Sequence, residues 1–297
     1  MITRRHIVQG AAAVSLLALS DSAKATTFAL PSEDRLASRF ADIEKNIGAR
    51  LGVAVYDSGT GKRASHRGDE RFPMCSTFKF IAAAAVLKQV DEGKASLDET
   101  LLVTEDEMLE YAPVTEKHIG EKMTLEALCE AAVTWSDNPA ANLILKKLGG
   151  PQAITTFARS LGDEKTRLDR YELALNDVPP GDPRDTTTPH AMIHTLDTLV
   201  LGDALSDTSR RQLTAWLVSN HTGDNRIRAG VPKNWRVGDK TGTGPRGSTN
   251  DVGVAWPPNG KPVVIAVYLT DSEAKLEKRD AAIAAVAKAI ASERNAK

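Results

Sequence analysis

Neither sign of charge is in excess: 38 Lys and Arg face 39 Asp and Glu, for a formal net charge of −1 and a pI near 6.6. That balance removes the basic footprint of a nucleic-acid or anionic-membrane binder, so a small molecule is the expected partner. Apolar runs long enough to span a bilayer, about 20 residues, are also missing. Cysteine is scarce, with two residues, Cys75 and Cys129. An even pair invites a disulfide in an oxidising compartment. Cys75, however, stands beside a candidate nucleophile and Cys129 in an apolar helical stretch, so both are expected as free, small hydrophobic side chains. Internal repeats and low-complexity segments are absent. What remains, 41% hydrophobic and 26% charged, is an ordinary globular composition long enough for one large domain or two interleaved ones.

Residues 1–25 read as an export signal. Arg4-Arg5 precede a mildly apolar run from Ile7 to Leu19, and Ala23-Lys24-Ala25 offers a small-x-small cleavage pattern. Thr3-Arg4-Arg5-His6-Ile7-Val8 is similar to a twin-arginine signal, although general secretion signals also begin with basic pairs. A membrane anchor is the rival reading, but the run is short and is interrupted by Gln9 and Ser15. Cleavage after Ala25 removes a net +2 and leaves −3 on the mature chain. The expected location is the periplasm, with no membrane attachment.

The mature chain reads as strands at both ends and helices between. Leu36, Phe40, Ile43 and Ile47 mark a helix over 32–47, and Leu51 to Asp57 a strand before the turn Ser58-Gly59-Thr60-Gly61. From about Ser76 to Ser219, helix follows helix. Apolar strands return at Trp235–Lys240, Val252–Trp256 and Val263–Leu269, and a last helix covers roughly Glu273 to Ser292. The expected fold is α/β plus all-α: an antiparallel sheet carrying both chain ends with flanking helices, an inserted helical domain, and the active site between them. The boundaries are 26–66 and 219–297 for the discontinuous α/β domain and 67–218 for the helical one. Residues 167–185, with Pro179-Pro180-Gly181 and Pro183, lack any period and read as an Ω-loop.

Three short motifs carry chemistry. Ser76-Thr77-Phe78-Lys79 falls at a helix start, where a spacing of three puts Ser76 and Lys79 on one face. Backbone N–H groups there suit a developing oxyanion. Ser136-Asp137-Asn138 ends the helical run Leu125–Trp135. Lys240-Thr241-Gly242-Thr243 lies on a strand, where Gly242 would let a ligand approach the edge. Taken singly, each has a plain structural explanation: a capped helix with a solvated lysine, a helix-ending turn, a strand end. Their joint occurrence in this order does not.

The triple resembles the signature of class A serine β-lactamases and penicillin-binding proteins. The likeness runs on through Phe72-Pro73-Met74-Cys75, Thr166-Arg167-Leu168-Asp169-Arg170-Tyr171-Glu172, Gly181-Asp182-Pro183-Arg184-Asp185-Thr186-Thr187-Thr188-Pro189 and Val237-Gly238-Asp239, covering essentially the whole mature chain. Glu172 and Asn176 sit at the class A spacing for a hydrolytic water, which D,D-peptidases of the penicillin-binding family lack. Arg170 and Asp185 are similar to the family's loop-closing ion pair.

The resemblance implies roles residue by residue. Ser76 is the nucleophile, Lys79 or Glu172 its base, and Glu172 the base for the deacylating water. The N–H groups of Ser76 and Thr243 form the oxyanion hole, and Ser136 passes a proton to the lactam nitrogen. Asn138 bonds the acylamino carbonyl and orients Lys79. Lys240, Thr241 and Thr243 suit the substrate carboxylate, and Tyr111 forms an aromatic wall. No cofactor or metal is implied, and the family expectation is a monomer. Thr243, Cys75 and Glu172-Leu173 are similar to broad-spectrum members, extending the expected range from penicillins and cephalosporins to carbapenems.

Two departures matter. Thr249 stands where many members carry an arginine, and Arg226 matches the alternative position that reaches the same space. The family's bridging partners for Cys129 and Cys75 are replaced by Ala83 and Gly244. The chief rival function is a penicillin-binding D,D-peptidase; a β-lactam sensor would need a transmembrane segment. A zinc hydrolase would have to use His190 and His194, four apart, but no third ligand stands out. A serine triad lacks a convincing partner among His66, His118, His190, His194 and His221.

Overall fold

Leu36, Phe40, Ile43 and Ile47 recur at helical spacing, and Ser32–Ile47 is helix α1. The computed structural model describes residues 32–295; the expected export signal lies outside them. Strand β1 (Arg50–Asp57) turns through Gly61 (φ 71°) into β2 (Arg63–His66), with Asp57 Oδ1 accepting the Gly59 and Thr60 N–H groups. Then come β3 (Phe72–Pro73), α2 (Phe78–Asp91), β4 (Thr100–Leu102), β5 (Lys122–Thr124), α3 (Leu125–Glu130), α4 (Asn138–Leu148) and α5 (Gln152–Ser160). After the long loop follow β6 (Thr186–Thr187), α6 (Pro189–Leu196), α7 (Asp207–Val218) and the short α8 (Ile227–Gly230). The chain closes with β7 (Arg236–Thr243), β8 (Thr249–Trp256), β9 (Val263–Thr270) and α9 (Leu276–Asn295).

The five long strands form one antiparallel sheet, ordered β2-β1-β9-β8-β7. β1 pairs with β9 over its full length, from Arg50 opposite Thr270 to Asp57 opposite Val263, so the two chain ends meet at the centre of the sheet. Side chains alternate between its faces. Val263, Ile265, Val267 and Leu269 pack with Leu51, Val53 and Val55 against α1 and α9, burying Leu36, Phe40, Ile283, Val286 and Ile290. Val264, Ala266 and Tyr268 turn the other way, with Ala54, Val252 and Val254, into the helical part. Each fully buried aliphatic chain contributes roughly 1.5–3 kcal/mol, so both faces of β9 anchor the fold.

Helix α2 is apolar all round and buried from Phe78 to Leu87. Such a helix belongs in an interior rather than at a surface, and it carries Lys79 inside with it. The middle of the chain is not purely helical, since β3 pairs with β6 and β4 with β5. These pieces of two or three residues are too short to show a period. The last helix begins at Leu276, three residues later than expected, because Ser272 Oγ takes the Ala274 N–H in a local turn. Among the described residues, no helix is long and apolar enough to cross a membrane.

Candidate active site

Ser76 sits in a tight 3-10 turn, Cys75–Thr77, that runs straight into α2. Cys75 takes a positive φ of 45°, and three contacts hold the turn. Thr77 Oγ1 donates back to the Met74 carbonyl at 2.8 Å, and Asn250 Nδ2 from β8 donates to the Pro73 and Met74 carbonyls at 2.9 and 3.1 Å. The Met74 N–H donates to the Asp185 carbonyl at 3.0 Å. The nucleophile turn is thus tied to the sheet and to the end of the Ω-loop.

Around Ser76 lie a lysine and a carboxylate whose side chains are fully buried. Lys79 Nζ stands 3.1 Å from Glu172 Oε1 and donates to Asn138 Oδ1 at 2.6 Å and to the Ser136 carbonyl at 2.8 Å. Ser76 Oγ lies 3.5 Å from the same Glu172 oxygen. Burial lowers the Lys79 pKa, and the Glu172 charge opposes that shift. Glu172 Oε2 accepts from Asn176 Nδ2 at 2.7 Å, while Asn176 Oδ1, though buried, accepts from no described group.

The other wall comes from α4's leading turn and from β7. Ser136 adopts left-handed backbone (φ 61°), which turns its hydroxyl to Lys240 Nζ at 3.0 Å. Lys240 Nζ also donates to the Thr241 carbonyl, and its pKa is pushed down to about 7, first by burial and then by the Lys79 charge. Thr241 and Thr222 hydroxyls bond each other. A Cβ at Gly242 would stand 2.8 Å from the Met74 carbonyl and 3.1 Å from Cys75 Cβ. The missing side chain therefore makes room first for the protein's own nucleophile turn.

Arg226 is buried and engaged. It donates from Nε to Asp280 Oδ1 at 2.7 Å, from one terminal nitrogen to the Gly242 and Asn250 carbonyls, and from the other to Thr243 Oγ1 at 2.9 Å. A guanidinium has five N–H donors, so one remains for a ligand. A pocket of about 410 Å³ opens between these walls, lined by Ser76, Ser136, Asn138, Asn176, Arg226 and Thr241–Thr243, with Tyr111 and Leu173 among the remaining lining residues. Tyr111 is 56% exposed.

All twelve residues singled out in the sequence converge here, with Lys79, Glu172 and Lys240 reaching it from the buried side. Two positioning groups escaped notice. Asn142 clamps Glu172 by its backbone, accepting the Glu172 N–H at 2.9 Å and donating to its carbonyl at 3.0 Å. The available signal was an amide one helical turn after Asn138 on an otherwise apolar face. Asp137 caps α4 at Ala140 and takes the Val114 and Thr115 N–H groups, fixing the segment that bears Tyr111. The peptide bond between Glu172 and Leu173 is cis.

A model of the β-lactamase enzyme family matches residues 35–293. The chain belongs to that family. This β-lactamase is 51% identical over 248 residues to Toho-1 of Escherichia coli, covering 84% of this chain and 85% of that protein. It is 46% identical over 293 residues to AST-1 of Nocardia asteroides, covering 97% and 94%. An ancestral class A β-lactamase superposes with a TM-score of 0.85 at 59% identity, covering 86% and 99% of the two chains. A β-lactamase from Xanthomonas campestris gives 0.88 at 48% identity, covering 90% and 100%. The enzyme is a class A serine β-lactamase, and its site can be read in that light. Arg170 and Asp185 form the expected ion pair at 2.6 Å across the Ω-loop. Cys75 and Cys129 are free and buried, and burial pushes the Cys75 thiol up to about 12. Its Sγ faces Gly244, where a Cβ would stand 2.8 Å away. His190 bonds Asp69 and His194 bonds the Leu161 carbonyl; among the described residues no His, Cys, Asp and Glu cluster is arranged for a metal.

Proposed function

We propose that this β-lactamase hydrolyses the lactam amide of penicillins, cephalosporins and carbapenems through an ester on Ser76 that Glu172 releases with water, conferring resistance to those antibiotics. The carrying observation is Glu172, which shares one oxygen with Ser76 and Lys79 and gives the other to Asn176. The Ser76 proton passes to Lys79 or to Glu172 as Oγ adds to the lactam carbonyl, with the oxyanion received by the Ser76 and Thr243 N–H groups. Ser136, held by Lys240, gives a proton to the lactam nitrogen as the C–N bond breaks, and the proton taken from Ser76 passes on to Ser136, which leaves Glu172 unprotonated for the next step. A water placed between Glu172 and the open acceptor Asn176 Oδ1 then attacks the ester. Glu172 takes its proton, and Ser76 leaves with one returned. Lys240, Thr241, Thr243 and the spare Arg226 N–H receive the substrate carboxylate, Asn138 the acylamino carbonyl, and Tyr111 the apolar flank.

Replacing Glu172 with Gln tests the scheme. Ring opening at Ser76 survives, but glutamine cannot take the water's proton, and loss of a positioned base costs on the order of 10²–10⁴-fold. Intact-protein mass spectrometry with a penicillin is expected to show a long-lived adduct on Ser76 in the variant and almost none in wild type. Wild-type turnover by the variant would remove Glu172 as the base and reopen the peptidase reading. The carbapenem part is tested separately, by imipenem turnover above the uncatalysed rate. We take 26–66 with 219–297 and 67–218 as the two domains meeting at this site. We also propose export through residues 1–25 to the periplasm, and action as a monomer.

A further inference from the structure

Two carboxylates lie behind the pocket and take no part in the chemistry above. Asp239 on β7 and Asp251 on β8 are fully buried, and their side chains reach each other within hydrogen-bond range. Register sets this up. Gly253 stands opposite Asp239 and Thr241 opposite Asp251, which makes the two acids a diagonal pair on one face of the sheet. Backbone closes over them, since a Cβ on Gly223 would overlap Asp239 Oδ2 and one on Gly253 would press on the Asp239 backbone.

The donors around the pair are unequal. Arg228 Nε donates to Asp239 Oδ1 at 2.7 Å with its terminal Nη2 2.6 Å from the same oxygen, and Asn220 Nδ2 donates to Oδ2 at 3.1 Å. Asp251 Oδ2 receives the Ile227 N–H at 3.0 Å, but no described N–H or hydroxyl reaches its Oδ1. A buried acceptor without a donor is costly, and two bare carboxylates in contact repel. Both faults disappear if Asp251 Oδ1 carries a proton and donates it to Asp239.

We infer that Asp239 and Asp251 hold one proton between them, resident on Asp251, and that this singly charged pair is a positioning device for Lys240 and the strand edge through Thr243. Among the described residues Lys240 Nζ has no carboxylate partner of its own, only Ser136 Oγ and the Thr241 carbonyl. The charges that act on it are Lys79 and Arg226, which repel its proton, and Asp239 and Asp251, which attract it. Burial and the facing Asp239 push the Asp251 carboxyl well above the ordinary carboxylate range. One negative charge behind the strand holds the Lys240 proton less firmly than two would. The sign follows: free enzyme loses the Lys240 charge as pH rises through about 7, and kcat/KM for an anionic substrate falls with it.

The functional half of this inference rests on Lys240 serving the substrate carboxylate, while the proton itself is read without turnover. Infrared difference spectra of wild type minus Asp251→Asn at pH 7, with and without ¹³C-labelled aspartate, are expected to contain a protonated-carboxyl band from wild type that moves with the label. Wild type lacking that band overturns the proposal. In kinetics, Asp251→Asn supplies an amide N–H where the acid supplies O–H, and its kcat/KM against pH is expected to superimpose on wild type. Asp251→Ala supplies nothing and is expected to lower kcat/KM about tenfold, the scale for stranding a buried acceptor. An alkaline limb lowered by about one pH unit or more in Asp251→Asn would mean two charges in the native pair and would sink the idea. Unchanged kinetics in Asp251→Ala would remove the positioning role. Should Asp251→Ala not fold, the band and the Asp251→Asn profile decide.

Discussion

Arg226 has four of its five N–H donors engaged before any substrate arrives, two of them on the carbonyls of Gly242 and Asn250. It therefore acts on the pocket in two ways: it stiffens the edge strand, and it presents Thr243 Oγ1 together with one spare N–H. Since Thr249 cannot supply a charge, Arg226→Ala should cost about 10- to 150-fold in kcat/KM, the value of a charge-assisted bond of roughly 1.5–3 kcal/mol. Steady-state kinetics on the folded variant check this, and an unchanged kcat/KM would reject the assignment. Residues of this kind were legible because their types are unusual at their spacing: a serine and lysine one turn apart, a lysine on a glycine-bearing strand. Asn142 was not, because a lone amide in an apolar helix says nothing until Glu172 is seen against it. The Asp239–Asp251 contact was equally hidden, since it depends on a diagonal across two strands whose register no local pattern states.

At the scale of the element, the Ω-loop decides whether Glu172 is in place. Asp185 Oδ1 accepts the Asp169 and Arg170 N–H groups at 2.7 and 3.0 Å, and its Oδ2 takes Arg170 Nε at 2.6 Å. Asp185 itself is fully buried, and its carbonyl receives the N–H of Met74. One residue thus closes the loop on itself and joins it to the turn that presents Ser76. Asp185→Ala strands a largely buried guanidinium and two backbone donors, and breaking a buried pair from one side costs about 3–5 kcal/mol. Denaturant unfolding should show that loss. Deacylation should slow more than acylation, because Glu172 rides on the loop while Ser76 rides on the turn that leads into α2 and Lys79 on α2 itself. Equal slowing of both steps would mean that the loop positions the nucleophile as much as the base. The loop's existence was readable from its prolines and missing period. Its closure was suggested only by likeness to relatives, because Arg170 and Asp185 are fifteen residues apart and no local rule pairs them.

For the whole molecule, the order of strands and helices was readable because the hydrophobic period changes from 3.6 to 2 and back along the chain. The central position of β9 was not, because a strand buried on both faces shows no alternation to reveal its neighbours. That strand also explains how the chain stands without a covalent brace. One face packs on the α1–α9 layer and the other on the helical part, each through its own apolar cluster, and the two cysteines contribute packing alone. Cys129 lies in the helical cluster and Cys75 under the pocket, both with no exposed surface. Burial raises both thiols above their ordinary range, so neither forms the thiolate that reacts. Cys75 stays single for want of a side chain at Gly244 rather than for want of proximity. The expected outcome is that a thiol reagent modifies neither cysteine in the native enzyme within minutes, yet titrates two thiols after denaturation without reductant. The midpoint of thermal unfolding should be the same with and without a reducing agent. A denatured sample with no free thiol, and a disulfide-linked peptide holding Cys75 and Cys129 in its digest, would show that the core as drawn is wrong. Bridging the nucleophile turn to α3 would pull Ser76 away from Lys79 and Glu172, so activity and the free-thiol count should fall together.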